Sequence, residues 1–512
     1  MSDVSVATLV DTVREHADRV IGIEVDGGGA PPLPDALDPE TREAIERDAR
    51  DVADGRRLSN FAVQQEFLRT LVALSGVTGD ERYREAAADV VDWAFRRLDD
   101  PGGLLYWGGH AAYDIDAGEV VVGKNDHELK YEYPFYEFLF AVDPDRTRRF
   151  VERQWEAHVL DWSVLDFDRH GSFGGAARPG PVDDAESGSV WDREYEGGDV
   201  FFWGDGLTFV NAGSDLYYAA ATLADLTGGD APLEWAARLA RRYVETRREP
   251  GVSGYQFSQH PSHCNGPAVL GDRAQYQFAP YVHGDHLVYE STLFRPRPVV
   301  QRQQLALGER LGVAGERFTD WAVEELRAWY DAAYRPGDNA FEPMLTDGHS
   351  LDGFVIRREG YFGPKGRVVG PTRADWEFFW TYARACRVAG DPVCWAAARD
   401  VADGLGLGDI GVPGGEAPSL DGASGVNDYA AIHGLLDLYD ATGRDAYVDA
   451  AARVAQNVLD RRRNGVLAWD GRVDLEDPAP LALLHLAAVL RDGDRDALPR
   501  PVGYRKTPEG GI

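Results

Sequence analysis

The sequence predicts an all-α protein whose helical hairpins repeat and close into a toroid, an α/α barrel with long loops forming a cleft. Three observations carry this. A pattern of apolar helix, short Gly-Asp turn and second apolar helix recurs along the 512 residues. Apolar residues within a copy fall at helical spacing, as do Ala87, Val90, Val91, Ala94 and Phe95. Long irregular inserts separate the copies, at residues 99–135, 160–210, 245–300 and 335–378.

The copies read in order as follows. "FLRTLVALSGVTGDERYREAAADVVDWAFRRL" is the first, and "YYAAATLADLTGGDAPLEWAARLARRYV" the second. "LALGERLGVAGERFTDWAVEELRAWY" is a degenerate form. "FFWTYARACRVAGDPVCWAAARDVADGL" and "LLDLYDATGRDAYVDAAARVAQNVL" complete the set. In each, glycine stops one helix and the aspartate after it caps the next. Such hairpins bury their apolar faces only against neighbouring hairpins, as an open solenoid or a closed ring. The inserts favour closure, because long loops rich in Gly, Trp, Tyr and His are where an all-α barrel builds a cleft. No linker divides the chain, so residues 1–500 read as one catalytic barrel domain. Residues 501–512, rich in Pro and Gly, read as a loose C-terminal tail.

Asp and Glu number 86 against 53 Lys and Arg, a net charge of -33. That excludes nonspecific binding to nucleic acid, which needs a basic surface. The acidic excess is spread along the chain. It suits solubility in general, and also concentrated salt, which screens self-repulsion. Only two Met, few Lys and many Asp, Glu, Ala, Val and Arg favour salt and a haloarchaeal source. The cysteines, Cys264, Cys386 and Cys394, form no C-x-x-C pair and imply no disulfide framework. The first twenty residues hold no apolar h-region, and no stretch approaches a membrane span. The expectation is a soluble, cytoplasmic, monomeric protein that contacts no membrane.

Three loops concentrate polar chemistry. "LLYWGGHAAYDI" holds Trp107 and His110. "GKNDHELKYEYPFYEF" holds His127, Glu128, Lys130 and Glu132. "HVLDWSVLDFDRHGSFGG" holds His158, Arg169 and His170. Two histidines and a carboxylate suit a divalent first-row metal with open positions. Each residue also has an ordinary reading. His110 caps a turn after Gly108-Gly109, His127-Glu128 opens a helix with Glu128 near its positive end, and Arg169 pairs with Asp166 or Asp168. His158, in the apolar helical run "FVERQWEAHVLDW", reads as a structural histidine.

"YWGGH", "HELKYEYPFYEF", "HVLDWSVLDFDRHG" and "GLTFVNAGSDLYYAA", in that order over roughly residues 100–225, resemble the signature runs of the family 2 polysaccharide lyases. The resemblance implies a seven-hairpin α/α barrel. It implies cleavage of polygalacturonate by β-elimination, giving 4,5-unsaturated galacturonides. It implies a transition metal, most often Mn2+, with Ni2+ or Co2+ as substitutes. Carried over, His110, Glu128 and His170 match the metal ligands, and Arg169 matches the base. Glu132, one turn from Glu128, is a rival for the acidic ligand.

The chemistry agrees. Elimination removes the proton on C5, beside the uronate carboxylate, and a divalent cation on that carboxylate stabilises the charge. Arginine is an unusual base, because its ordinary pKa lies above about 12. A nearby metal and a water-poor cleft disfavour its cation. His170, fixed on the metal, would position Arg169. An acidic oligosaccharide or polysaccharide also needs local positive potential. Lys130, Arg295, Arg297, Lys365, Arg367 and Arg373 lie in inserts and offer it, with Lys130, Lys365 and Arg373 the chosen contacts. Trp107, Trp203 and Tyr361 offer rings for sugars to stack on, Trp107 foremost. With no leader, the expected substrate is an oligogalacturonate cut from a chain end.

Two rival readings use the same scaffold. A hydrolase for unsaturated uronides or a sugar epimerase would need facing carboxylates, for which Asp205 and Glu377 are candidates. A non-catalytic carbohydrate-binding toroid would tolerate loss of His110 or His170. A soft metal site at His260, His263 and Cys264 lacks a partner set.

Overall fold

A computed structural model describes residues 4–22, 31–46, 55–123, 126–174, 189–198, 206, 208–247, 249–254, 294–355 and 364–503. Fourteen α-helices stand among the described residues. They are α1 (Val6–Ile21), α2 (Gln65–Thr78), α3 (Arg82–Arg97), α4 (Tyr136–Val142), α5 (Pro144–His158), α6 (Val210–Thr227) and α7 (Asp230–Glu245). They continue as α8 (Pro298–Leu311), α9 (Glu316–Ala333), α10 (Trp376–Ala389), α11 (Pro392–Gly404), α12 (Tyr429–Thr442), α13 (Asp445–Leu459) and α14 (Ala479–Asp492).

Six hairpins pack in sequence, α2 on α3 through α12 on α13, and the chain ends supply a seventh pair, α14 on α1. The ring runs α14 to α2, α3 to α4, α4 to α6, α6 to α8, α8 to α10, α10 to α12 and back to α14. It is the predicted α/α barrel of seven helical pairs.

Helix character follows position in the ring. The inner helices are buried on every side: Val210–Ala224 of α6, Tyr429–Leu438 of α12 and Ala479–Val489 of α14 are buried without interruption. The outer helices bury one stripe, as in α3 with Tyr83, Ala87, Val90, Val91, Ala94 and Phe95. A helix apolar all round belongs inside, and an amphipathic one outside. The Gly-Asp turns work mainly through their glycines. Gly79, Gly228, Gly390 and Gly443 end inner helices in the left-handed region, at φ 64–74°. The aspartates differ: Asp391 caps α11 through the N–H groups of Val393 and Cys394, whereas Asp230 and Asp445 already lie inside their helices.

The chain's end departs from expectation. Residues 501–503 are buried. Val502 and Gly503 donate their N–H groups to Glu66 of α2, at 3.2 and 3.3 Å. Their carbonyls accept from Arg302 of α8, and Gly503 also accepts from Tyr429 of α12. Pro and Gly at 501 and 503 therefore serve a close backbone approach to three inner helices rather than a loose tail. Residues 504–512 lie outside the described residues.

Candidate active site

The inserts before α4 and after α5 meet in a short antiparallel ladder, Asp126–Glu128 against His170–Ser172. Its register sets Glu128 opposite His170 and His127 opposite Gly171. Leu129 extends it by donating to the carbonyl of Arg169 at 3.0 Å. A bridge from Gly108 to Glu128 adds the third loop. Asn60 holds that loop at both polar atoms of Gly108, at 2.7 and 3.1 Å. His127-Glu128 therefore lies on a strand, not at the start of a helix.

Two glycines permit the approach. A Cβ on Gly109 would stand 1.7 Å from Glu128 Oε2, and one on Gly171 would stand 2.7 Å from His158 Nε2. Any side chain at 109 would occupy the place of the Glu128 carboxylate.

Within this frame one donor atom each of His110, Glu128 and His170 fall within 4.8 Å of one another. His110 Nε2 is 3.6 Å from Glu128 Oε2, and His170 Nε2 is 3.8 Å from Glu128 Oε1. Donors sharing one ion at ordinary ligand distances stand about 3 to 3.5 Å apart. The observed spacings are too long for hydrogen bonds, and a small contraction closes them onto one ion. Imidazole with carboxylate is also the donor set of first-row divalent metals. The three side chains therefore fit a metal. His110 and Glu128 are buried and His170 is half-buried.

Arg169 completes the group, its Nη2 3.4 Å from Glu128 Oε1 and its guanidinium 4.8 Å from the centre of the Phe209 ring. Burial alone would raise the Glu128 carboxyl. Arg169, Lys130, His110 and His170 together outweigh burial and hold it below its ordinary value, so it stays a carboxylate. Asp168, which sequence reasoning had only as a partner for Arg169, orients His170. Its Oδ1 accepts the His170 backbone N–H at 2.8 Å and lies 3.3 Å from Nδ1, leaving Nε2 toward Glu128.

Trp107 is corrected. It is fully buried, its indole N–H donates to His127 Nε2, and its ring packs edge-on against Phe150. It has no face for a sugar. His158 is buried, as expected of a structural histidine, and its two ring nitrogens meet His127 Nδ1 and the Asp168 carbonyl, each at 2.8 Å. Burial first, and then His158, hold His127 well below its ordinary pKa.

The other named residues scatter. Lys130 is half-buried and electrostatically coupled to Glu128. Glu132 is buried, with its backbone N–H on Asp215. Lys365, Arg367 and Arg373 are exposed on the 335–378 insert, Arg373 paired with Ala340 on a short strand. That insert carries none of the three ligand candidates. Arg297 places its guanidinium 5.9 Å from the Tyr131 ring centre. Glu377 is ion-paired with Arg302 at 2.6 Å, accepts from Tyr429, and is pushed by burial to about 7. Asp205, Trp203, Tyr361, His260, His263 and Cys264 lie outside the described residues. Cys386 and Cys394 are buried free thiols.

Fold and site together define an α/α-barrel protein with a candidate transition-metal centre in its loops. The family model described as periplasmic pectate lyase matches residues 30–511, and the chain belongs to that family. A relative 35% identical over 348 residues is the pectate disaccharide-lyase of Dickeya dadantii (strain 3937). The match takes in 65% of this chain and spans 63% of the relative's length. Among solved structures, the chain is similar to the cellobiose 2-epimerase from Bacillus thermoamylovorans at TM-score 0.43 and 10% identity, covering 95% of this chain and 99% of that one. It is similar to a D-mannose isomerase at TM-score 0.45 and 11% identity, covering 94% and 97%.

The family's periplasmic description overturns the expectation of a cytoplasmic protein, which rested on the composition of the first twenty residues. Among the described residues no helix is long and apolar enough to cross a membrane.

Proposed function

We propose that this chain is a metal-dependent pectate lyase that cleaves polygalacturonate or its oligomers by β-elimination. The observation that carries the reading is the convergence of His110, Glu128 and His170, with Arg169 beside them, in a chain of the periplasmic pectate lyase family. His110, Glu128 and His170 would hold the ion, taken as Mn2+, and its Lewis acidity would stabilise the charge that develops beside the uronate carboxylate.

The protein's own groups do the rest. Arg169, acting as the neutral guanidine, takes the C5 proton and becomes the guanidinium; the C5–H electrons form the C4=C5 double bond; the C4–O bond breaks and its electrons leave with the glycosidic oxygen, which takes a proton from water. Phe209 holds the guanidinium plane, and Asp168 fixes the neighbouring His170. Lys130 adds positive potential beside the Glu128 carboxylate. Arg373 and Lys365 add exposed positive charge on the 335–378 insert for a second uronate.

The relative's name, a disaccharide-lyase, supports release of short products from chain ends. The net charge of -33 supports life in concentrated salt and a haloarchaeal origin. Polygalacturonate incubated with the protein and Mn2+ should gain the ultraviolet absorbance of a 4,5-unsaturated uronide. A flat trace with every uronate polymer tried would end this reading.

A further inference from the structure

Beneath the site runs a chain of four groups: the Trp107 indole, the His127 ring, the His158 ring and the Asp168 backbone carbonyl. Its direction is fixed by its ends. Indole N–H only donates, so His127 Nε2 accepts. A carbonyl only accepts, so His158 Nδ1 donates. The middle contact is then His127 Nδ1–H to His158 Nε2, and both rings are neutral Nδ1–H tautomers.

Each link lies close in sequence to a group of the site. Trp107 stands three residues before His110, His127 directly precedes Glu128, and Asp168 directly precedes Arg169 and His170. His158, at the end of α5, lies further from the ligands in sequence, at the start of the run that carries Arg169 and His170, and ties that run to the loop of His127. Its ring also fills the space that a side chain on Gly171 would take.

We infer that His158 and His127 are positioning residues, a buried hydrogen-bond chain that sets the spacing of the His110, Glu128 and His170 donors and of Arg169. The inference rests on the proposed metal site and goes beyond it by naming what holds that site together. Loss of His158 removes two buried hydrogen bonds, to His127 and to the Asp168 carbonyl, and the loops that carry the ligands shift relative to each other. Outer partners of metal sites govern affinity by about tenfold to a hundredfold.

The test uses the full-length protein and three readouts: imidazole nitrogen NMR, thermal melting without metal, and calorimetric titration with manganese chloride. In the wild type both histidines should report the Nδ1–H tautomer; an Nε2–H signal from either overturns the chain. His158→Leu should weaken Mn2+ binding by about tenfold to a hundredfold. His158→Gln, whose amide can accept from His127 and donate to Asp168, should recover most of it. Unchanged affinity in folded His158→Leu overturns the inference, and so does a His158→Gln as weak as the leucine. If His158→Leu does not fold, Trp107→Phe removes only the first donor. It should release the His127 tautomer and weaken Mn2+, and wild-type behaviour in both overturns the inference. A wild type that binds no Mn2+ but shows both tautomers fails the metal reading and keeps the hydrogen-bond chain.

Discussion

Glu128 and His170 face each other across an antiparallel strand pair, Oε1 3.8 Å from Nε2. Backbone register, not loop flexibility, sets that spacing. Gly109 is the other half of the arrangement, because a methyl group there would overlap Glu128 Oε2. Gly109→Ala should therefore displace the carboxylate and weaken Mn2+ binding by at least about tenfold, with little change in metal-free melting. Calorimetry with manganese chloride checks this.

Arg169 shares the carboxylate with the metal candidates but is not counted among the ligands. Arg169→Ala should lower kcat by at least about a hundredfold, the usual worth of a proton-transfer group. It should leave stoichiometric Mn2+ binding in place. Parallel loss of metal would reassign Arg169 to holding Glu128.

At the barrel's interior, Asp437 serves three guanidinium groups, Arg384, Arg387 and Arg495, and accepts the Trp380 indole N–H. Burial would raise its carboxyl, but the three arginines hold it at about 2. Asp437→Asn keeps the size and leaves buried cations without their counter-charge. It should cost about 3–5 kcal/mol of stability, read as a large drop in Tm.

His16 and His485 make stability depend on pH. Burial holds His16 at about 4, against a partial opposing pull from Asp477, and burial with Arg495 holds His485 at about 3. Unfolded, each binds a proton near 6.5. The unfolded chain thus holds more protons between those values, and stability falls as pH drops. Each histidine contributes about 1.4 kcal/mol per pH unit across its window. Denaturant midpoints should be steady above pH 6.5 and fall below it. His16→Gln should flatten part of the slope.

Most hairpins were legible because α2, α6, α10 and α12 each end at a glycine in the left-handed region, and because outer helices carry one apolar stripe. The α4–α5 pair was not among the copies, since α4 has seven residues and the break is Asp143-Pro144 rather than Gly-Asp. The α1–α14 pair joins chain ends, a contact that no local pattern encodes. At the site, residue type and loop context pointed to three polar loops, and only the resemblance to the family 2 polysaccharide lyases picked His110, Glu128, Arg169 and His170 out of them. They could not show that Trp107 faces inward, because an aromatic in a loop suits a sugar or a core equally well. The Trp107–His127–His158 contacts span 20 and 31 residues, so no spacing rule reaches them. The final residues misled for a similar reason: Pro and Gly mark loose ends and close approaches alike.

The central claim is that His110, Glu128 and His170 hold a divalent metal that β-elimination requires. The most direct test follows unsaturated-product absorbance from polygalacturonate with chelated, metal-free protein, before and after addition of Mn2+. Activity should vanish on chelation and return with about one equivalent of Mn2+ per chain. Full activity in the metal-free protein would contradict the account.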